Sequence, residues 1–362
     1  MIRYVDAFSG LGGFSLGVEG ALGKDNVKCV KAIDFDPEVA DTYRRHFGVE
    51  SLGDIRKTAA ADIPDHDILF GGFPCQPFSR NGLWFNKNGR VVGDAEERDN
   101  LFLELVRILR EKRPAYFVFE NVHGIKFMKN KDGSPVLDTI LGNLRSAGYK
   151  VDHKFLDAVD FGVPQQRIRC VIVGMRVDIP GEPHIPKPPR GVIVPGLIPA
   201  IADILQPQMG DPKYLLKNYW RNRTVLLGVR PDGHQPNHTF PRGTPRYKVI
   251  KNLYDSNQKK PTGRTGEIEP VAILYGDTPS GLPRQQDKIY SVLGISPTIA
   301  TFSTPGVDAP EGHRLLTPRE CARLQGFPDS YVLPEHDAKA YRQVGNSVCV
   351  PMVAAVVSAL FF

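Results

Sequence analysis

The chain has 362 residues, 41% hydrophobic and 24% charged, which argues against wholesale disorder and allows one large or two modest domains with a real core. Its net charge of +6 is a weak argument for an anionic partner until its distribution is considered. Arg176–Pro297 holds 17 Lys/Arg against 10 Asp/Glu and 18 of the 31 prolines, while the rest is nearly neutral, so a basic module set in an ordinary globular body is expected.

The first 175 residues alternate strand-like runs with amphipathic segments. Ile2–Ala7 reads as a strand, followed by Gly10, Gly12 and Gly13 and a helical stretch to Leu22. Val27–Ile33 is a second strand, ending at Asp34 and Asp36; Asp67–Phe70 is a third, ending at Gly71-Gly72. Asn100–Lys112 has helical period, Tyr116–Phe119 is a strand ending at Glu120, and Val136–Ala147 is helical. Phe155–Ala158 and Cys170–Met175 complete the strands. This alternation predicts an α/β fold with a doubly wound, mostly parallel sheet, whose ligands sit beyond the carboxyl ends of the strands.

From Ile179 to Pro297 the rhythm dissolves into proline-rich turns and short runs such as Val192–Val194 and Ala272–Tyr275, predicting a smaller, irregular, strand- and loop-rich domain. Helical pattern returns at Thr317–Gln325, with Thr317 as N-cap, Pro318 in the first turn and Glu320 completing a capping box. The expected division is into residues 1–178, residues 179–337 with a core at 179–300, and a terminal segment at 338–362.

The cysteines number five, widely spaced and without a CxxC, which argues against a disulfide framework or structural zinc and favours a reducing cytoplasm. The amino terminus reads as no signal peptide. The apolar stretch Val350–Phe362 is too short to span a bilayer and is read as a buried terminal helix. His234 and His238 flank Pro236, against a helical metal pair, so no metal is expected.

Four constellations carry chemistry. Asp6-Ala7-Phe8-Ser9-Gly10-Leu11-Gly12-Gly13, with Asp34 after the next strand, lets a ligand approach the backbone and offers a carboxylate to ribose hydroxyls. The spacing is not GxGxxG, so a phosphate-free adenosine cofactor such as S-adenosylmethionine suits it as well as a dinucleotide; a plain tight turn is the bland alternative. Cys75, between Pro74 and Pro77 after a glycine pair, sits on a rigid turn suited to a reactive thiolate, against the alternative of an inert buried thiol. Glu120 closes an apolar strand, where a carboxyl can hold a proton at neutral pH. Arg167 and Arg169 are expected on one face of a strand. Each of these last two motifs taken alone also fits a surface ion pair.

In this order the motifs resemble the DNA (cytosine-5)-methyltransferases, particularly the compact bacterial modification enzymes. The resemblance runs from Phe8–Gly13 through Asp34, Gly53-Asp54-Ile55, Pro74-Cys75-Gln76, Glu120-Asn121-Val122 and Gln165–Arg169. It resumes after the basic insert at Arg319–Pro328 and Gln343–Ser347. It implies that Cys75 is the nucleophile toward cytosine C6, that Glu120 protonates or hydrogen-bonds N3, that Arg169 holds the O2 side, and that Arg167 has an orienting role. It implies that S-adenosylmethionine is bound by Phe8, Leu11 and Gly13 at the methionine side, and Asp34 at the ribose. Phe35 would stack on adenine, and Asp54 and Ile55 would meet its edge. Gly72, Pro74 and Leu101 would close the pocket, and Asn346, Ser347 and Val348 would return to the methionine moiety. Asp34 and Phe35 stand where the family more often has Glu and Trp.

The resemblance further implies double-stranded DNA as substrate, with the target base flipped out. The insert occupies the place of the target-recognition domain; Ser79, Gln285, Gln286 and Thr298 are its expected DNA-binding residues, and the loop from Ser79 to Arg98 is expected to close over the DNA. The resemblance makes residues 1–178 the catalytic domain, 179–337 the recognition domain and hinge with the core reader at 179–300, and 338–362 the segment returning to the catalytic domain. A restriction-modification role is implied, with any cognate endonuclease acting on the same site and no direct binding to it implied; a monomer is expected, since one catalytic domain and one reader suffice. The competing readings are a tRNA cytosine-5 methyltransferase, a non-catalytic DNA-binding relative and, on the sheet alone, a nicotinamide oxidoreductase.

Overall fold

The computed structural model describes residues 1–74, 95–130, 132–186, 200–206, 214, 270–273, 288–291, 295–300, 304–309 and 312–362. The chain forms two compact units: Met1–Asp157 with Ile168–Pro188 and Ser347–Phe362, and Ala158–Arg167 with Pro189–Asn346.

The first unit is built on a six-stranded sheet. Its strands are β1 (Ile2–Ala7), β2 (Val27–Ile33), β3 (Ile68–Gly72), β4 (Tyr116–Val122), β5 (Tyr149–Asp157) and β6 (Ile168–Arg176), in the order β2-β1-β3-β4-β6-β5. β2, β1, β3 and β4 run parallel; β6 is antiparallel to both β4 and β5. Strand order reverses at β1, whose neighbours are β2 on one side and β3 on the other, and a crevice opens at such a point. β1 and β3 are buried over nearly their whole length, as strands covered on both faces must be. β5 extends over Tyr149–Asp157 rather than Phe155–Ala158. It is an edge strand, and its half-exposed Lys150, Asp152, His153 and Lys154 hide the apolar pattern.

Four helices precede the last strands: α1 (Gly13–Leu22), α2 (Pro37–Phe47), α3 (Ala95–Lys112) and α4 (Val136–Ser146). The sequence analysis did not include α2, although its signals are present. Asp36 caps it by accepting from Glu38 N at 3.0 Å, Pro37 opens it, and Gly48 closes it at φ 65°. Between sheet and helices lies one core in which Phe117 and Phe119 stack at 4.5 Å and pack with Leu105, Ile140 and Ile172.

The second unit contains a four-stranded sheet of short strands, β7 (Pro270–Ile273), β8 (Lys288–Ser291), β9 (Gly306–Ala309) and β10 (Gly312–Leu315), in the order β10-β9-β8-β7. Val192–Val194 lies outside the described residues. Two helices follow, α5 (Pro318–Leu324) and α6 (Asp337–Asn346). Thr317 caps α5, accepting from Glu320 N, while Glu320 reaches back to Thr317 N at 2.8 Å. Glu320 also forms a bidentate pair with Arg314 at 2.7 and 2.8 Å, both side chains fully buried.

α7 (Val350–Phe361) returns to the first unit. By length and composition Asp337–Phe361 is apolar enough to cross a membrane. It is, however, two helices parted at Ser347–Cys349, and Met352, Val353, Val356 and Val357 of the second are buried. A Cβ on Gly17 of α1 would stand 2.4 Å from Val353, so the two helices touch at a glycine.

Candidate active site

The candidate residues of the first unit gather at the carboxyl ends of its parallel strands. Across the ladder, Ala7 faces both Ile33 and Gly71, and Gly72 faces Glu120. Residues far apart in sequence thus become neighbours.

After β1 the chain turns through Phe8 at φ 56°, Gly10 at 51° and Gly12 at 75°. A positive φ is costly for phenylalanine and persists only where its surroundings enforce it. The glycines let other segments pack closely against the turn: a Cβ on Gly13 would lie 2.6 Å from Val348 Cγ2 and 2.9 Å from Ser347 Oγ, whereas one on Gly10 would meet nothing nearer than Phe8 O at 3.9 Å. Leu11 is buried beneath the turn. Asp34, just past β2, accepts from Gly10 N at 2.9 Å and from Asp36 N at 3.0 Å. Burial raises its pKa, partly countered by these amides. The Phe35 amide also bonds this carboxylate, and a carboxylate's two oxygens still leave acceptor capacity for a ribose hydroxyl. Beside it Phe35 is 77% exposed, an uncovered ring at the end of a strand. Leu52, paired with Asp34 by a parallel bridge, is also exposed. Asp54 is bound by Arg56 at 2.9 and 3.0 Å, which lowers its pKa. Ile55 is packed in the core and its carbonyl accepts from Arg107 at 3.2 Å. Leu101 packs against the same core, and Gly72 and Pro74 are half-buried.

Glu120 and Arg169 form the central pair. Arg169 Nε lies 2.9 Å from Glu120 Oε1, with side chains 13% and 15% exposed, and Arg169 Nη1 donates to Ile168 O at 2.8 Å. With Phe14, Val348, Cys349 and Met352 they line one pocket. Its polar wall is one acid and one guanidinium; the rest is apolar. Such a pair presents a carboxyl and a guanidinium side by side, the groups that can hydrogen-bond the edge of a polar ring.

Arg167 departs from expectation. It precedes β6 rather than sharing a face with Arg169, and it belongs to the second compact unit. Its buried guanidinium donates to Ile299 O and Gly345 O, each at 3.1 Å. Thr298 donates its hydroxyl to Gln166 O at 2.6 Å. Asn346 ends α6 and is exposed, while Ser347 and Val348 are buried in the first unit.

Cys75, Ser79, Gln285 and Gln286 lie outside the described residues. The chain leading to Cys75 is described as far as Pro74. Asn121, 1% exposed, donates to Phe73 O at 3.3 Å and accepts from Val122 N at 2.8 Å. That anchor was not among the expected site residues; its place beside Glu120 was the available signal. Asp6 was likewise unassigned. It is fully buried, accepts from Ser15 Oγ at 2.8 Å, and burial pushes its pKa up to about 7. The described thiols Cys29 and Cys170 are each pushed up to about 12 by burial, and Cys321 is raised further.

A sequence model of the family "C-5 cytosine-specific DNA methylase" matches residues 2–361. The Type II methyltransferase M.NlaX of Neisseria lactamica is 36% identical over 98% of this chain and 95% of its own length. M.HpaII of Haemophilus parainfluenzae is 34% identical over 97% and 87%, and M.HhaI of Haemophilus parahaemolyticus 30% over 96% and 91%. Among solved structures, the S. pombe Dnmt2 methyltransferase superposes with a TM-score of 0.64 at 19% identity, covering 99% of this chain and 98% of that one. That likeness speaks for the fold. A match along nearly the whole chain, together with a glycine-rich turn after β1, an acid past β2 and a Glu–Arg pair at the sheet's carboxyl edge, leads to one conclusion: the chain belongs to the C-5 cytosine-specific DNA methylases, enzymes that methylate carbon 5 of cytosine in DNA.

Proposed function

We propose that this enzyme modifies cytosine within a specific duplex sequence, taking the methyl group from S-adenosylmethionine, and that it protects DNA in a restriction-modification system. The observation that carries the site assignment is the Glu120–Arg169 pair, 2.9 Å apart in a pocket walled by Val348. The Type II names of its relatives support the modification role.

The residues of the first unit fit the cofactor. The open backbone at Gly10 lets the methionine portion approach the turn that carries Phe8, Leu11 and Gly13, against which Ser347 and Val348 pack; Asn346 precedes that segment. Asp34 accepts from the ribose and the open face of Phe35 meets adenine. Asp54 and Ile55 stand at the adenine edge, and Gly72, Pro74 and Leu101 close the pocket. When bound, S-adenosylmethionine supplies an electrophilic methyl on a sulfonium.

The chain's own residues make C5 nucleophilic. The Cys75 thiolate adds to C6, splitting one difficult substitution into easier steps. Glu120 holds a proton at N3, so that negative charge does not accumulate on the ring. Arg169, fixed by Glu120, holds O2. After C5 has been methylated, a water acting as base takes the C5 proton, the C5=C6 double bond re-forms, and the C6–S bond breaks to release the Cys75 thiolate. The high pKa values of Cys29, Cys170 and Cys321 favour Cys75 as the nucleophile.

Residues 1–178 act as the catalytic domain, 179–337 as recognition domain and hinge, and 338–362 as the returning segment. Ser79, Gln285, Gln286 and Thr298 contact DNA. The enzyme works as a cytoplasmic monomer of bacterial type, without metal; a cognate endonuclease would act on the same site, with no direct binding between the two implied. Expression in a host lacking cytosine methylation, followed by bisulfite sequencing, tests the reading. One methylated motif is expected; unmodified DNA beside methylated tRNA would overturn it. With fluorocytosine DNA, Cys75→Ser should abolish the covalent adduct and Cys349→Ser should retain it. The reverse would make Cys349, in the pocket with Glu120, the nucleophile.

A further inference from the structure

The chain passes between its two compact units after Asp157, Arg167, Pro188 and Asn346. Arg167 is bonded on the second unit's side of three of these passages. Its own carbonyl accepts from Ala158 N at 3.2 Å, immediately after the first. It is itself the residue before the second. Its Nη2 donates to Gly345 O at 3.1 Å, one residue before the last. Nη1 adds Ile299 O at 3.1 Å.

The neighbouring residues close the same bundle. Gln165 donates to Leu324 O at 2.9 Å and accepts from Ile299 N at 3.1 Å. Gln166 N donates to Ser296 O at 2.8 Å, and Ser296 N to Pro164 O at 2.7 Å. Gln165 and Ser296 are fully buried, and Arg167 is 2% exposed.

What these passages lead to gives the bundle its meaning. Two residues beyond Arg167 is Arg169, and three beyond Gly345 is Val348; both line the pocket that contains Glu120. A planar guanidinium can bridge two carbonyls in a set geometry, as a flexible ammonium cannot. We propose that Arg167 is a positioning residue: by tying Gly345 to the start of β6, it sets Arg169 and the Asn346–Val348 turn in place together. This rests on reading that turn as the cofactor contact and Arg169 as the base contact.

The test is a steady-state and calorimetric comparison of the full-length enzyme with Arg167→Lys, Gln165→Met, Asn346→Ala and the Arg167→Lys/Asn346→Ala double variant. Losing one charged, buried hydrogen bond should raise the KM for S-adenosylmethionine about tenfold in Arg167→Lys and lower kcat by a similar factor. Gln165→Met, which loosens the bundle while leaving the guanidinium, should move both the same way, about threefold. The KM effects of Arg167→Lys and Asn346→Ala should be clearly non-additive, because one acts through the other. A role in stability alone predicts a lowered melting temperature with the parent's KM and additive effects, and would overturn the proposal. Should Arg167→Lys fail to fold, Gln165→Met decides by the same criterion. If Asn346→Ala binds S-adenosylmethionine as tightly as the parent, the cofactor reading of the turn fails and this role with it. If Asn346→Ala is impaired while Arg167→Lys and Gln165→Met keep the parent's KM, only the positioning role fails.

Discussion

Burial decides the chemistry of Asp6. With no solvent exposure, its charged form is disfavoured, and the hydrogen bonds from Ser15 and Tyr43 only partly compensate. Its pKa rises from 3.8 to about 7, so the folded protein binds a proton that the unfolded chain releases. The stability this proton contributes is complete below pH 3.8, declines as pH rises, and is gone above about 7. Asp6→Asn keeps an acceptor for Ser15 without the ionisation. Urea titrations from pH 4 to pH 8 should therefore show the variant gaining on the parent as pH rises, by on the order of a few kcal/mol; parallel profiles would refute the buried-proton account. At Glu120 the expectation concerns turnover. Glu120→Gln should lower kcat by roughly 10²–10⁴-fold, as loss of a positioned acid does, with a much smaller change in the KM for S-adenosylmethionine. Equal losses in both would mean that Glu120 serves mainly to hold Arg169. Both residues were prominent in the sequence, as strand-end acids. The chain offered no sign that Glu120 binds Arg169 directly, because that contact needs β6 to run antiparallel beside β4.

Among the elements, α1 and α7 meet in a closely packed seam. A Cβ on Gly17 would meet Val353 Cγ1 at 2.4 Å and Val353 Cβ at 2.6 Å. A branched side chain on a packed helix cannot swing aside, so Gly17→Ala must push the helices apart. Overpacking of this kind costs about 1–3 kcal/mol, readable in chemical denaturation. Because α7 follows Ser347-Val348, S-adenosylmethionine affinity should fall as well; unchanged affinity would mean that the turn is held independently of the helix. At the start of α5, Thr317→Ala removes the acceptor for Glu320 N and should cost about 1 kcal/mol, measured by the same titration. The capping box was legible because its chemistry is local. α2 carried equally local signals in Asp36, Pro37 and Gly48. The first half of β5 was not legible, because an exposed edge strand need not alternate.

For the whole molecule, charge and function divide unequally along the chain. Arg176–Pro297 carries a net +7 and the remainder is nearly neutral; under the proposed function the first would meet DNA phosphates and the second a zwitterionic cofactor and an uncharged base. DNA affinity should accordingly fall steeply with salt, linearly in log–log form with a slope of about −0.9 per phosphate neutralised, while S-adenosylmethionine affinity without DNA stays nearly flat. Fluorescence anisotropy across a salt series measures the first and calorimetry the second. A salt-independent DNA affinity would remove the electrostatic role of the insert. The reaction class was legible in the chain, since adding to cytosine needs particular side chains, and their types and order are written there. The sequence by itself determined the parallel sheet, through the alternation of apolar runs. Only the tertiary structure decided which side chains meet: that Glu120 grips Arg169, that Asn121 anchors the approach to Cys75, and that Arg167 binds main-chain carbonyls. A hydrogen bond between residues separated by 178 positions, as between Arg167 and Gly345, leaves no local pattern. It exists because burying a guanidinium demands acceptors, and the fold brings main-chain carbonyls from distant segments to meet that need.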